Sequence, residues 1–281
     1  MTMDTAARTP GVQREALRLL DGISVLDVSE SIAGQYCARL LADAGASVTM
    51  VEPPRGSRTR FLGPFWEDGT RPDDSALFWH LNAAKRSLTL DWSTPTGEEL
   101  LQLVSAGADV VITSTVTQPV EAMFPEAARP LLCRIEEFDS SGPMSGWSAT
   151  ELVHQALSGT MIENGAAGMQ PLHGVGHRAY YAAGTAACTA LLAALLGELP
   201  RSVAPDVRIS VTETAASMNY NRVTQHWYSS TLDVRGDPGT PRMTLRCRDG
   251  WIVVFPGARH WASTCVAVSY THLTLPTNRE V

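Results

Sequence analysis

Apolar positions in this chain come in short continuous runs separated by stretches with helical spacing, which is the signature of buried strands alternating with surface helices. Residues 23–28 (ISVLDV) are largely apolar and open with β-branched side chains, as a buried parallel strand requires. The segment SESIAGQ then turns into a helix expected around 36–42, and residues 47–51 return as a second strand with Glu52 at its end. A Pro-Pro-Arg-Gly loop follows and carries Arg55, Arg58 and Arg60. Residues 87–90 read as a third strand. The spacing predicts a helix through 98–106, with Pro95 suited to its first turn and Thr96 to Glu99 spaced as a capping box. Strands at 109–113 and 131–135 complete the series, and their short connections imply right-handed crossovers.

The predicted fold is therefore α/β: a Rossmann-like, mostly parallel sheet with helices on both faces over residues 20–228. Beyond the first half the pattern turns helical, at 150–162 and 180–196, joined by the Gly-rich NGAAGMQPLHGVGHR. A strand at 206–211 and a helix at 213–228 follow. Residues 243–255 read as a hairpin turning at Asp249-Gly250, the start of a smaller second domain at 229–267. Residues 1–19 are expected to form a loose arm. VSYTHLTLPT at 268–277 is similar to one reading frame of a transposon-type sequencing adapter, so 268–281 are expected to be non-native and the chain an N-terminal piece of a longer protein.

Composition narrows the function. With 281 residues, 44% hydrophobic and 18% charged, the chain can bury an ordinary core. A net charge of −7 argues against coating nucleic acid or an anionic membrane, both of which call for a basic face. The long uncharged run ending near Gly197 falls short of a bilayer span and reads as a buried helix. Five cysteines, odd in number and without a C-x-x-C pair, fit a reducing cytoplasm. Lys85 is the only lysine.

Four chemistries are weighed on residues alone. A strand–turn–helix unit ending in Glu52 suggests a nicotinamide dinucleotide, with Glu52 on a ribose, but the turn has one glycine where the fingerprint needs three. An ordinary strand end explains Glu52 as well. His173 and His177 in HGVGH lie four apart, yet the glycines break a helix and no third ligand is near, so no metal is expected. Neither a serine-hydrolase elbow nor a phosphate-binding P-loop occurs.

AGQYCARLLADAGASVTMVEPPRG, LNAAKRSLTLD, STPTGEELLQLVSAGADVV, FDSSGPMSGW, ELVHQALSG, AYYAAGTAACTALLAALL and RCRDGWIVV, in that order, resemble the successive blocks of the family III CoA-transferases, the carnitine and bile-acid (CaiB/BaiF) group. Gln35 stands where that family has proline. The resemblance implies that coenzyme A, carried as a thioester substrate, lies against Ile32, Ala33 and Gly34 and against Leu81, Asn82, Ala83 and Ala84. Lys85 and Arg86, with Arg55, Arg58 and Arg60, would meet its phosphates, or else form a solvated basic face. It also implies transfer of CoA from an acyl thioester to a carboxylic acid through an acylated aspartate. That position here holds Tyr180, whose phenol cannot form the anhydride. The family's segment after DVV is replaced by residues 113–118, with Ala122 at an arginine position. A histidine used by related racemases is Thr150. Glu151 and Glu163 are the nearest carboxylates in sequence, each expected to be a helix acid. A degenerate half of a CoA-transferase is the resulting expectation, as a homo-oligomer or fused to a second half that carries the aspartate. A non-catalytic CoA-binding or scaffolding module is the alternative, and a nicotinamide oxidoreductase the third.

Overall fold

The computed structural model describes residues 18–66, 71–114, 130–165, 168–197, 206–230, 243–246 and 248–254, with positions 260 and 263. They fall into two compact units, one made of residues up to 161 and 173–224, the other of 162–172 and 225 onwards. Most of the arm at 1–19, the segment 115–129 and the tail at 268–281 lie outside the described residues.

The predicted strands form the sheet of the first unit: β1 (Ser24–Asp27), β2 (Ser47–Glu52), β3 (Arg86–Thr89), β4 (Val110–Thr113), β5 (Leu131–Glu136) and β6 (Val207–Ser210). Their order is β3-β2-β1-β4-β5-β6, and every pairing is parallel. Successive residues on each strand point to opposite faces, so two cores result. Val25, Val48, Val110, Ile112, Cys133 and Ile135 face α1 (Ile32–Asp43) and α5 (Arg178–Leu196). Leu26, Val51, Val111 and Leu132 pack with Leu101 of α3 (Pro95–Ala106) on the other face.

Helix boundaries differ from the sequence reading where capping overrides apolar spacing. The first helix begins at Ile32 rather than near 36, because the Ser31 side chain accepts from the Gly34 N–H. The third is capped by Thr94, not Thr96, with the Gly97 N–H on the threonine oxygen at 3.1 Å. Between them α2 (Ala76–Asn82), capped by Ser75, was not foreseen. The helix expected at 150–162 is instead α4 (Glu151–Leu157) and a 3-10 turn (Thr160–Glu163), parted at Gly159, whose φ of 75° ends an α-helix. The one expected at 213–228 is two, α6 (Val211–Ser217) and α7 (Tyr220–Ser229). In the second unit β7 (Met243–Arg246) and β8 (Trp251–Val254) pair antiparallel, as the hairpin reading requires.

By length and composition α5 is the one described helix apolar enough to cross a bilayer, but Ala179, Ala183, Gly184, Ala187 and Leu191 bury a stripe of it against α1 and the sheet. The approach to α1 is close: a Cβ on Gly184 would lie 2.6 Å from the Ala33 carbonyl oxygen. Gly184→Ala is expected to lower stability by about 1–2 kcal/mol despite alanine's better helix propensity, since a backbone oxygen cannot swing aside. Urea unfolding with an unchanged m-value checks it, and Thr185→Ala on the exposed side should stay within about 0.5 kcal/mol of the parent.

Candidate functional site

The sheet order reverses between β1 and β4, and in open parallel sheets the crevice beyond such a switch point is where ligands bind. There the Glu30 N–H, just after β1, donates to the Ser114 hydroxyl just after β4, at 3.3 Å. A cavity of about 450 Å³ opens at this end of the sheet. Its walls follow the strands' carboxyl ends: Glu30 and Ser31 after β1, Arg58 and Thr59 after β2, Ser114 after β4 and Glu137 after β5. Thr150 and Glu151 at the start of α4, and His177 and Tyr180 at the start of α5, complete it.

A buried ion pair frames this wall. Asp27 at the end of β1 is fully buried, and its Oδ2 accepts from Lys85 Nζ at 2.9 Å. The same ammonium donates to the Gln35 carbonyl and to Asn82 Oδ1, each at 2.8 Å. All three of its protons are used inside the protein and the side chain is 1% exposed. The expectation that Lys85 meets a phosphate is corrected accordingly. Burial lowers its pKa, and the Asp27 carboxylate pulls the other way.

The two segments expected to hold coenzyme A are thus brought together, though not by presenting side chains. Ile32, Ala33 and Leu81 are buried, and Gly34 is required by packing, since a Cβ there would lie 2.3 Å from Ser29 Oγ. Ala83 and Ala84 are exposed, Ala84 with a φ of 65°. Asn82 Nδ2 donates to Gln35 Oε1 at 3.0 Å. Gln35 itself is fully buried and also binds the hydroxyls of Ser57 and Thr59, at 2.8 and 2.7 Å, so it joins α1 to the loop after β2. Sequence reading noted it only as a missing proline.

The arginines divide. Arg60 grips Glu52 with two bonds of 2.8 Å and lies 3.9 Å over the Phe78 ring, a structural role. Glu52 also accepts from the Ser57 N–H and the Ser87 hydroxyl, so no oxygen is left for a ribose. Burial opposes its ionisation, but the Arg60 and Ser57 bonds outweigh that and hold its pKa below the ordinary value. Arg55 and Arg58 reach Glu30 at 2.7 and 3.5 Å from exposed positions, and Arg86, also exposed, donates to Ser47. His173 is exposed, apart from the cavity wall, and among the described residues no group of three metal-binding side chains forms.

Around Tyr180 the structure places an acid that sequence reading missed. Its hydroxyl donates to Glu137 at 3.3–3.4 Å. Glu137 Oε2 lies 2.5 Å from His154 Nε2, whose ring is fully buried and fixed by Thr212 at Nδ1, 2.8 Å away. Burial, and next the Glu137 charge, push the Tyr180 phenol up, so it stays protonated and donates. Glu151 is a helix acid as expected, capping α5 by accepting from the Ala179 N–H at 2.8 Å and the Tyr180 N–H at 3.4 Å. Glu163 lies in the 3-10 turn of the other unit, and the replaced segment beyond Ser114 is outside the described residues.

The sequence model of CoA-transferase family III matches residues 20–280. The chain belongs to that family. Over 251 residues it is 26% identical to the (R)-2-hydroxy-4-methylpentanoate CoA-transferase of Clostridioides difficile, covering 83% of this chain and 61% of that one. It is 26% identical to the succinate–glutarate CoA-transferase of Agrobacterium fabrum, over 85% of this chain and 63% of the relative. For the succinyl-CoA:(R)-benzylsuccinate CoA-transferase subunit BbsE of Thauera aromatica the identity is 25%, over 82% and 58%. The chain spans about three-fifths of the length of these relatives. Among solved structures it is similar to a CaiB/BaiF family protein from Brucella suis, with a TM-score of 0.76 and 25% identity over 89% of this chain and 69% of that one.

The family III chain should depend on its ion pair for stability. Lys85→Met is expected to cost about 3–5 kcal/mol by stranding the Asp27 carboxylate, whereas the double change with Asp27→Asn should lose less than the single one. Denaturant unfolding of the four proteins of the cycle measures it. For Glu52, whose folded pKa is depressed, the stabilisation is complete above the unfolded value of about 4.3 and fades as pH falls towards the folded one. The stability gap between the parent and Glu52→Gln should therefore narrow below about pH 4.3 and stay constant above it.

Proposed function

We propose that this chain binds a CoA thioester in the switch-point cavity, as part of a protein that moves CoA from an acyl thioester to a carboxylic acid. The observation that carries the reading is the convergence of four strand ends and two helix starts on one cavity, in a chain of CoA-transferase family III. The wall suits an anionic, partly apolar ligand: Leu62 offers apolar surface, and Arg58 is a cation reaching solvent beside it. Arg55, which shares Glu30 with Arg58, is the further cation available for phosphates, in place of Lys85.

Position 180 bears on mechanism. A phenol held protonated cannot take up an acyl group as a carboxylate does, so acyl transfer through that position is excluded from the reading. A carboxylate must come from another residue or another chain. That one relative is named as a subunit of its transferase makes a partner polypeptide reasonable, and we include a homo-oligomer or a second half as part of the proposal.

Titration calorimetry with CoA tests it. Saturable binding is expected, weakened by salt and about 10-fold by Arg58→Ala, the loss of one charge-assisted hydrogen bond. Absence of heat and of competition by acyl-CoA at millimolar concentration overturns the reading.

A further inference from the structure

Among the described residues three carboxylates border the cavity, and they differ in exposure and in what holds them. Glu30 is 9% exposed and paired with Arg55 and Arg58. Glu151 is 7% exposed and committed to the N-terminus of α5 and to the Gln155 side chain, which donates to its Oε1 at 2.8 Å. Glu137 differs in exposure: its side chain is 33% exposed, against 7% for Glu151, whose Oε2 also has one long contact, from the Tyr180 N–H at 3.4 Å. Glu137 Oε1 carries a single long contact, 3.4 Å, from the Tyr180 hydroxyl.

The carboxylate is also held in place. His154, fully buried, cannot reach a ligand, but through Nε2 it fixes Oε2, and through Nδ1 it is itself fixed by Thr212. Thr212 in turn donates to the Glu137 carbonyl at 2.9 Å, closing a ring that sets both the backbone and the side chain of the acid. Such a constraint removes the rotamer entropy that a half-exposed glutamate would otherwise lose on meeting a substrate. The result is an ordered acid with one oxygen turned to the cavity, at the end of β5.

Resting on the reading that a CoA thioester occupies this cavity, we propose that Glu137 is the nucleophile of this chain, with His154 and Thr212 as positioning residues. One Glu137 oxygen attacks the thioester carbonyl carbon, the C–S bond breaks, and CoA leaves as the thiolate. The acyl group remains on Glu137 as a mixed anhydride. Attack of the same thiolate on the glutamyl carbonyl then expels the acyl group as a free carboxylate and leaves CoA on Glu137 as a thioester. Reversal of these steps with a second carboxylic acid forms the new acyl-CoA and restores the glutamate. No oxidant, metal or further reactant is needed, and the proton count is unchanged.

The test is incubation of the purified chain with acetyl-CoA and with succinyl-CoA, trapping with hydroxylamine, and peptide mass spectrometry, alongside calorimetry with the same two thioesters. A hydroxamate on Glu137, absent from Glu137→Gln while that variant still unfolds cooperatively and binds CoA, is the expected result. A thioester that binds and leaves Glu137 unmodified, or a label on Glu151 or elsewhere, overturns the proposal and leaves the binding reading intact. Absence of binding to the parent chain removes both. Mapping the label in the parent keeps the outcome decisive even where the variant fails to fold.

Discussion

The cavity's shape depends on two opposite charges taken out of water. Desolvating an ammonium and a carboxylate costs several kcal/mol for each ion, and mutual attraction offsets that only when the remaining hydrogen-bonding capacity is met. Here it is met: Asp27 takes Lys85 on one oxygen and both donors of Ser29 on the other, and Lys85 spends its other protons on Gln35 and Asn82. The pair therefore fixes the end of β1, the first turns of α1 and the link from α2 to β3 relative to one another. The entrance to α1, capped by Ser31 and tied to β4 through the Glu30 N–H on Ser114, is held by the protein and needs no ligand to form.

Within that frame, the acids are sorted by environment and not by residue type. Glu52 is consumed by Arg60 and the loop after β2, Glu151 by a helix terminus, and Glu30 by two surface arginines. Glu151 is 7% exposed and its Oε1 is taken by the Ala179 N–H and the Gln155 amide, so it is held inside the wall however close it lies to Tyr180. Glu137 meets a neutral phenol and one ring nitrogen, and keeps an oxygen facing solvent.

The parallel sheet was legible because its strands are buried on both faces and read as apolar runs, and the family resemblance followed the same blocks. Helix starts were less legible. Ser31 and Thr94 set them through side-chain bonds that apolar spacing does not register, and α2 is too short to show a periodic stripe. The site was half legible. Segments 32–34 and 81–86 do meet, but Lys85 turned inward, because whether a cation faces a ligand or an aspartate depends on long-range packing that spans some fifty residues of sequence. Glu137 had one available signal, an acid immediately after a strand at the sheet's carboxyl end. His154 had none, since a histidine among apolar neighbours looks the same whether it orients an acid or fills space.

Tyr180 and Glu137 make physical sense as a pair. A phenol buried to the depth of Tyr180 needs an acceptor for its proton, and Glu137 provides one. A carboxylate at position 180 would instead stand beside Glu151, whose Oε2 lies 3.4 Å from the Tyr180 N–H, and would bring Glu137 no proton to accept. With tyrosine there, the wall holds among the described residues one carboxylate that is a third exposed, just past the end of a strand and not on the first turn of a helix. β5 is paired with β4 as far as Arg134 and with β6 as far as Glu136, the residue before Glu137, and the Glu137 carbonyl accepts from Thr212, so the acid's position is tied to the sheet.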